Sequence, residues 1–193
     1  MPTDAGRLEV ICGCMYSGKT TELINRLEDA RQNGFAVAAF KHAVDTRDST
    51  EDLVTHTGTR FQATAVATPE CLHRMITEAD VVGVDEAQFF DGTLLATCAA
   101  LTDAGKRIIV AGLDRTCFGD PFEPVPALAG AAGHVTRLQA RCARCDQPAE
   151  FTQRLIDDKH PDDVHHNDPG LIGADDQYEP RCRTCFAPVH AAV

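Results

Sequence analysis

The sequence predicts an α/β protein, a parallel sheet with helices on both faces, followed by a small C-terminal module that holds a metal. Three observations lead there. Short apolar runs alternate with helical patterns up to residue 138, the signature of successive βα units. The first unit encloses Gly13-Cys14-Met15-Tyr16-Ser17-Gly18-Lys19-Thr20, which fits G-x-x-x-x-G-K-[ST], the phosphate-cradling P-loop. Beyond it stand two Cys-x-x-Cys pairs, Cys142/Cys145 and Cys182/Cys185.

Taken in order, residues 7–12 read as a strand, with Leu8, Val10 and Ile11 apolar. After Thr20, Leu23, Ile24, Leu27 and Ala30 recur on one helical face, and Gly34 is placed to stop the helix. Residues 35–40 form an apolar run suited to a buried strand. Residues 41–60 are dense in Asp, Thr and Ser and read as a mobile loop, and 61–66 as a short strand. Thr68-Pro69 resembles an N-cap with proline at the first helical position, and Leu72, Met75, Ile76 and Ala79 continue that helix. A strand at 81–84 ends in Asp85-Glu86. A helix at 94–104 stopped by Gly105, a strand at 107–113, a proline-rich irregular stretch at 119–126, a short helix at 126–134 and a strand at 135–138 complete the first domain. The composition changes near Arg141, and a boundary near Gln139 divides the chain into a nucleotide-binding domain, 1–138, and a metal-binding domain, 139–193.

Composition narrows the function. The formal net charge is −11, and from Cys142 onward ten acids face five bases, a balance opposed to a phosphate-tracking nucleic-acid binder. The longest apolar runs are too short to span a membrane, and the N-terminus lacks a signal-peptide pattern, so a cytoplasmic protein is expected. Nine cysteines, an odd total, fit a reducing compartment and a metal site better than a disulfide framework.

The chemistry follows from residue type and spacing. Backbone N–H groups of the P-loop and of the helix behind it form a positive nest for phosphate oxygens, and Gly13 and Gly18 permit the tight turn and close approach. Lys19 reaches the outer phosphates, and the Thr20 hydroxyl suits magnesium. Asp85, at a strand end, suits the same metal, whereas Glu86 points differently and is a candidate general base for a hydroxyl attacking phosphorus. The cysteine pairs have zinc-ribbon spacing. Four thiolates complete a tetrahedron and leave no open position, so the zinc is structural. His160, His165 and His166 are read as loop residues, and Arg115, Arg137 and Arg154 as candidate phosphate partners with nothing local to single them out.

In this order and spacing the pieces resemble the thymidine kinase family that has a P-loop and a zinc-binding lasso domain. The resemblance runs from about Leu8 to Cys185. It also includes Asp45-Thr46-Arg47, Asp85-Glu86-Ala87-Gln88-Phe89-Phe90, Gly112-Leu113-Asp114-Arg115, Pro121-Phe122-Glu123-Pro124 and the segment 171–179. It implies a RecA-like P-loop domain that transfers the γ-phosphoryl group of ATP, with Mg2+, to the 5′-hydroxyl of thymidine. Glu86 would be the base, and Asp45, Arg47 and Asp85 to Gln88 would serve the phosphates, metal or nucleotide shell. The segment between the cysteine pairs would be a lasso over the nucleoside, with Pro169, Gly170, Leu171, Ile172 and Gly173 on the base and Tyr178 over the sugar or base. Phe89, Leu113, Cys117 and Phe122 would line the pocket. Family members are commonly homotetramers inhibited by dTTP.

Three positions depart from the family pattern. Cys117 stands where an aromatic is usual, with Phe118 one place later; Asp48 stands where an aromatic often follows Asp-Thr-Arg; and Cys14 replaces a Pro, Ser or Ala. Cys117 predicts a looser pocket unless Phe118 fills it, and Cys14 predicts an oxidation-sensitive P-loop. The competing reading is a P-loop ATPase whose ribbon binds nucleic acid, which the acidic C-terminal balance opposes.

Overall fold

The computed structural model describes residues 6–45, 52–55, 57–76, 78–155 and 177–187. Six strands form one parallel sheet in the order β5-β2-β6-β7-β1-β8: β1 Arg7–Gly13, β2 Val37–His42, β5 Thr64–Val66, β6 Val81–Asp85, β7 Arg107–Gly112 and β8 His134–Leu138. The central strands are apolar on both faces, as a covered parallel sheet requires.

Strand alternation sorts these side chains into two layers. On one face Ile11, Ala39, Val81 and Ile109 meet Leu23, Ile24, Leu27 and Ala30 of α1 Lys19–Gln32. On the other, Val10, Val82, Val84, Ile108 and Val110 meet α2 Pro69–Met75, α3 Thr93–Asp103 and α4 Val125–Ala131 through Leu72, Leu94, Cys98, Leu101, Val125 and Leu128. Gly83 sits where α1 comes closest: a Cβ there would lie 2.7 Å from a Leu27 methyl. Glu9, on the α1 face, is nearly buried and is held by Arg107 (2.6 Å), Arg7 (2.8 Å) and Arg26 (2.9 Å).

Three sequence expectations change. The stretch 41–60, read as loop, contains β3 Asp52–Val54, which pairs antiparallel with β4 Arg60–Gln62 over α1; buried Leu53 and Phe61 hold this hairpin to the core. The single strand expected at 61–66 is therefore two, β4 in the hairpin and β5 at the sheet edge. The second helix ends at Met75, whose side chain is exposed, while Ile76 and Ala79 pack into the core from the following turn.

Beyond the sheet, β9 Ala140–Arg141 pairs with β10 Pro148–Ala149, and β11 Phe151–Arg154 with β12 Tyr178–Arg181, both antiparallel. Cys142 follows β9 and Cys182 follows β12. Each begins a knuckle in which a later N–H returns to the first cysteine carbonyl: Asp146 to Cys142 (2.9 Å), and Cys185 (3.1 Å) and Phe186 (2.9 Å) to Cys182.

Candidate active site

The site lies at the C-terminal ends of β1, β2, β6 and β7, the edge where open α/β sheets gather ligands. Gly13 (φ 149°) and Gly18 (φ 85°) take left-handed backbone angles at the two ends of the P-loop. Gly13 is also forced by contact: a Cβ there would meet the Leu138 carbonyl oxygen at 2.3 Å. Lys19 Nζ donates to the Cys14 carbonyl (2.8 Å), which curls the side chain back over the loop. Burial lowers the Lys19 pKa, opposed by Glu86 and other nearby anions.

Thr20 Oγ1 donates to Asp85 Oδ2 at 2.8 Å. Burial, reinforced by the Glu86 charge, pushes the Asp85 carboxyl up to about 7. These two hard oxygen donors, side by side at the mouth of the P-loop, fit magnesium. Glu86 breaks from the strand with φ 53°, a left-handed angle uncommon for a non-glycine residue, and the chain continues as a 3-10 turn, Ala87–Phe89. At that break the Glu86 N–H donates to Asp85 Oδ1 (2.9 Å). The buried carboxamide of Gln88 then donates to the Glu86 carboxylate and accepts the Leu113 N–H (3.0 Å), so one side chain ties the β6 and β7 ends together.

Of the residues that line the cleft, Met15, Tyr16, Gly18, Lys19, Thr20, Asp45, Asp85, Glu86, Gln88, Phe89 and Leu113 were singled out in the sequence, whereas Thr21, Lys41 and residues 52–55 were not. Gly13, Cys14, Ser17 and Ala87 lie behind its wall. Cys14 is buried with its thiol donating to the Ala149 carbonyl (3.3 Å), the Ser17 hydroxyl is buried near Gly13, and Ala87 packs in the core. Burial pushes the Cys14 thiol up, not down, so the expected reactive P-loop thiol is an enclosed one. Arg47, Asp48 and Pro169, Gly170, Leu171, Ile172 and Gly173 lie outside the described residues, as do His160, His165 and His166.

An apolar pocket adjoins the cleft. Phe89, Leu113, Cys117, Phe122 and Tyr178 line it, with Met15, Arg115, Thr116, Phe118 and Thr152. Cys117 and Phe118 thus both reach the pocket. Thr152 was not anticipated: it arrives from β11, 137 residues along the chain, and its hydroxyl accepts the Met15 N–H (3.0 Å). Lys41 was also missed. It ends β2 as a buried ammonium in the cleft wall, 3.6 Å from Asp45 Oδ2. The available signal was a lone cation closing the apolar run 35–40. Arg115 stacks over Phe151, 5.3 Å from its centroid, rather than facing the phosphate cleft.

The four knuckle cysteines converge, their sulfurs all within 4.8 Å of one another. Cys145 lies 3.5 Å from Cys182 and 3.6 Å from Cys185. A zinc–sulfur bond near 2.3 Å implies a tetrahedron edge of about 3.8 Å, so the donor set and its size fit zinc. Cys14 packs against Cys142, Ala149 and Cys182, which joins this module to the back of the P-loop.

The crystal structure of the flagellar accessory protein FlaH from Methanocaldococcus jannaschii superposes with a TM-score of 0.49 at 12% identity, over 80% of this chain and 74% of that one. The sequence profile of the family described as thymidine kinase matches residues 6–186. A thymidine kinase from Rhodothermus sp. (strain ITI 518) is 46% identical over 183 residues, 95% of this chain and 82% of that protein. A family match whose span takes in the phosphate cradle, the strand-end acids and both cysteine knuckles places this chain in the thymidine kinase family.

Proposed function

We propose that the enzyme transfers the γ-phosphoryl group of ATP, supplied with Mg2+, to the 5′-hydroxyl of thymidine and, more slowly, of deoxyuridine. One observation carries this reading: the phosphate cleft and the apolar pocket share Met15, Phe89 and Leu113 as a common border. A nucleoside with its base in the pocket directs its sugar hydroxyl across that border toward Glu86.

In this reading the P-loop N–H groups and Lys19 hold the phosphates, with Asp45 and Arg47 in support. Thr20 and Asp85 would hold the magnesium, which when bound offsets phosphate charge. Glu86, oriented by Gln88, accepts the proton of the attacking hydroxyl. Tyr178, Phe89, Leu113, Cys117 and Phe122 enclose the base, and residues 169–173 close over it through main-chain groups. Cys142, Cys145, Cys182 and Cys185 bind a structural zinc that ties both ends of the 146–181 segment together. Residues 1–138 form the kinase domain and 139–193 the zinc-binding lasso domain. Feedback inhibition by dTTP in the nucleoside site, a homotetrameric state and a cytoplasmic location complete the proposal. Among the described residues no helix is long and apolar enough to cross a membrane.

The test is a nucleoside panel with MgATP, read as nucleoside monophosphate. Thymine presents two carbonyls and an N3–H, and cytosine mismatches two of these three groups. Each buried unpaired polar group costs roughly 1–3 kcal/mol, so deoxycytidine should fall orders of magnitude below thymidine in kcat/KM. The ring methyl is worth about 1–3 kcal/mol at most, so deoxyuridine should remain a substrate. Deoxycytidine within tenfold of thymidine would defeat the base-reading part of the proposal. Nucleoside-independent ATP hydrolysis would favour the ATPase alternative.

A further inference from the structure

Lys41 is a charged side chain only 3% exposed, and burying an ammonium is costly unless it serves a partner. Its place in the fold is informative. In the parallel ladder between β2 and β6, Lys41 stands directly beside Asp85. Alternation from Ala39 and Gly83, two residues earlier in each strand, puts both side chains on the α1 face, where Thr20 meets Asp85. The Lys41 ammonium forms an ion pair with Asp45, 3.6 Å from its Oδ2. Its side chain lines the same cleft as Lys19, Thr20, Asp85 and Glu86. That cleft carries Asp45, Asp85 and Glu86, with Asp52 paired to Arg60 (3.0 Å), beside two lysines, Lys19 and Lys41. A triphosphate that arrives with its magnesium still carries net negative charge toward these carboxylates, and a second ammonium beside Lys19 offsets that repulsion.

We propose that Lys41 is a second catalytic lysine, whose ammonium contacts the γ-phosphoryl group and neutralises the charge that develops during its transfer. This rests on the ATP-dependent reading above. In the transfer the 5′-oxygen forms a bond to the γ-phosphorus, and the bond from that phosphorus to the β,γ-bridging oxygen breaks. The electron pair of the broken bond leaves with ADP, and the hydroxyl proton passes to Glu86. Lys41 takes no part in the proton transfer and acts as a positive charge on the transferred group, moving from Asp45 toward the phosphate.

The experiment compares wild type with Lys41→Met, Lys41→Arg and Asp45→Asn. It measures steady-state kinetics and, separately, the affinities for ADP and for a non-hydrolysable ATP analogue. Lys41→Met should lower kcat about 100-fold, the size typical of deleting one electrostatic stabiliser. It should weaken the triphosphate analogue about tenfold and leave ADP affinity and zinc content unchanged. Lys41→Arg, which keeps the charge, should recover part of kcat. Equal weakening of ADP and the analogue, or of neither, overturns the proposal. So does a Lys41→Met protein that loses zinc or fails to fold, or an Asp45→Asn variant that reproduces every effect of Lys41→Met, because Lys41 is then structural. A wild type that does not phosphorylate thymidine with MgATP refutes the parent reading instead; the two failures are separable because wild-type turnover is measured first.

Discussion

Replacing Glu9 by glutamine should destabilise the protein by about 3 kcal/mol at neutral pH, and the loss should fade in acid. Glu9 lies on the α1 face of β1 with its side chain only 6% exposed, between Arg107 of β7, Arg26 of α1 and Arg7. Burial raises its pKa, but hydrogen bonds and charge attraction from Arg107, then Arg7, overcome this and lower it from 4.5 to about 2. At 1.36 kcal/mol per decade, that difference corresponds to roughly 3 kcal/mol. The Arg7 pair adds little of this, since Arg7 is 44% exposed and solvent screens it. The sign follows from the depressed folded-state value: the stabilisation is complete above pH 4.5, is about half gone near pH 3, and vanishes as pH falls through 2. Denaturant unfolding of wild type and Glu9→Gln at neutral pH and at steps down to pH 3 isolates the contribution as a difference. Both proteins share every other titration, including proton competition at the cysteines. Turnover of folded Glu9→Gln should be near normal, because Glu9 is outside the cleft. A difference below about 0.5 kcal/mol at pH 7, the scale of an ordinary surface change, or one that does not shrink between pH 5 and 3, would refute this account of the arginine cluster.

Two further outcomes are expected. Glu86→Gln should keep nucleotide and thymidine binding while losing two to four orders of magnitude in turnover, about the worth of a positioned proton acceptor; near-normal turnover would remove Glu86 from the mechanism. The purified protein should contain one zinc per chain, and Cys182→Ser should lose both the metal and nucleoside affinity, because the knuckles after β9 and β12 share it; full metal content in that variant would defeat the four-cysteine assignment.

Much of this was legible in the chain because it is local. The P-loop, the strand ending in Asp85-Glu86 and the two Cys-x-x-Cys knuckles are each written within a few consecutive residues, and each imposes its own geometry wherever it occurs. Hydrophobic period marked β1, α1, β6, α3 and β7 for the same reason. What only the tertiary structure decided depends on residues far apart in sequence. The hairpin's first strand, β3, looked like loop because it is three residues long, too short to display a period; the hairpin exists because Leu53 and Phe61 find α1 to cover. Cys14 looked reactive beside a positive nest, but Ala149, 135 residues on, encloses it and accepts its hydrogen bond. Lys41 looked like the start of a solvated loop until β6 was placed beside β2, which set the lysine against Asp85. A motif states which groups a site contains. Which face they share, and what a buried charge stands next to, is set by strand order and packing, and those are properties of the whole fold.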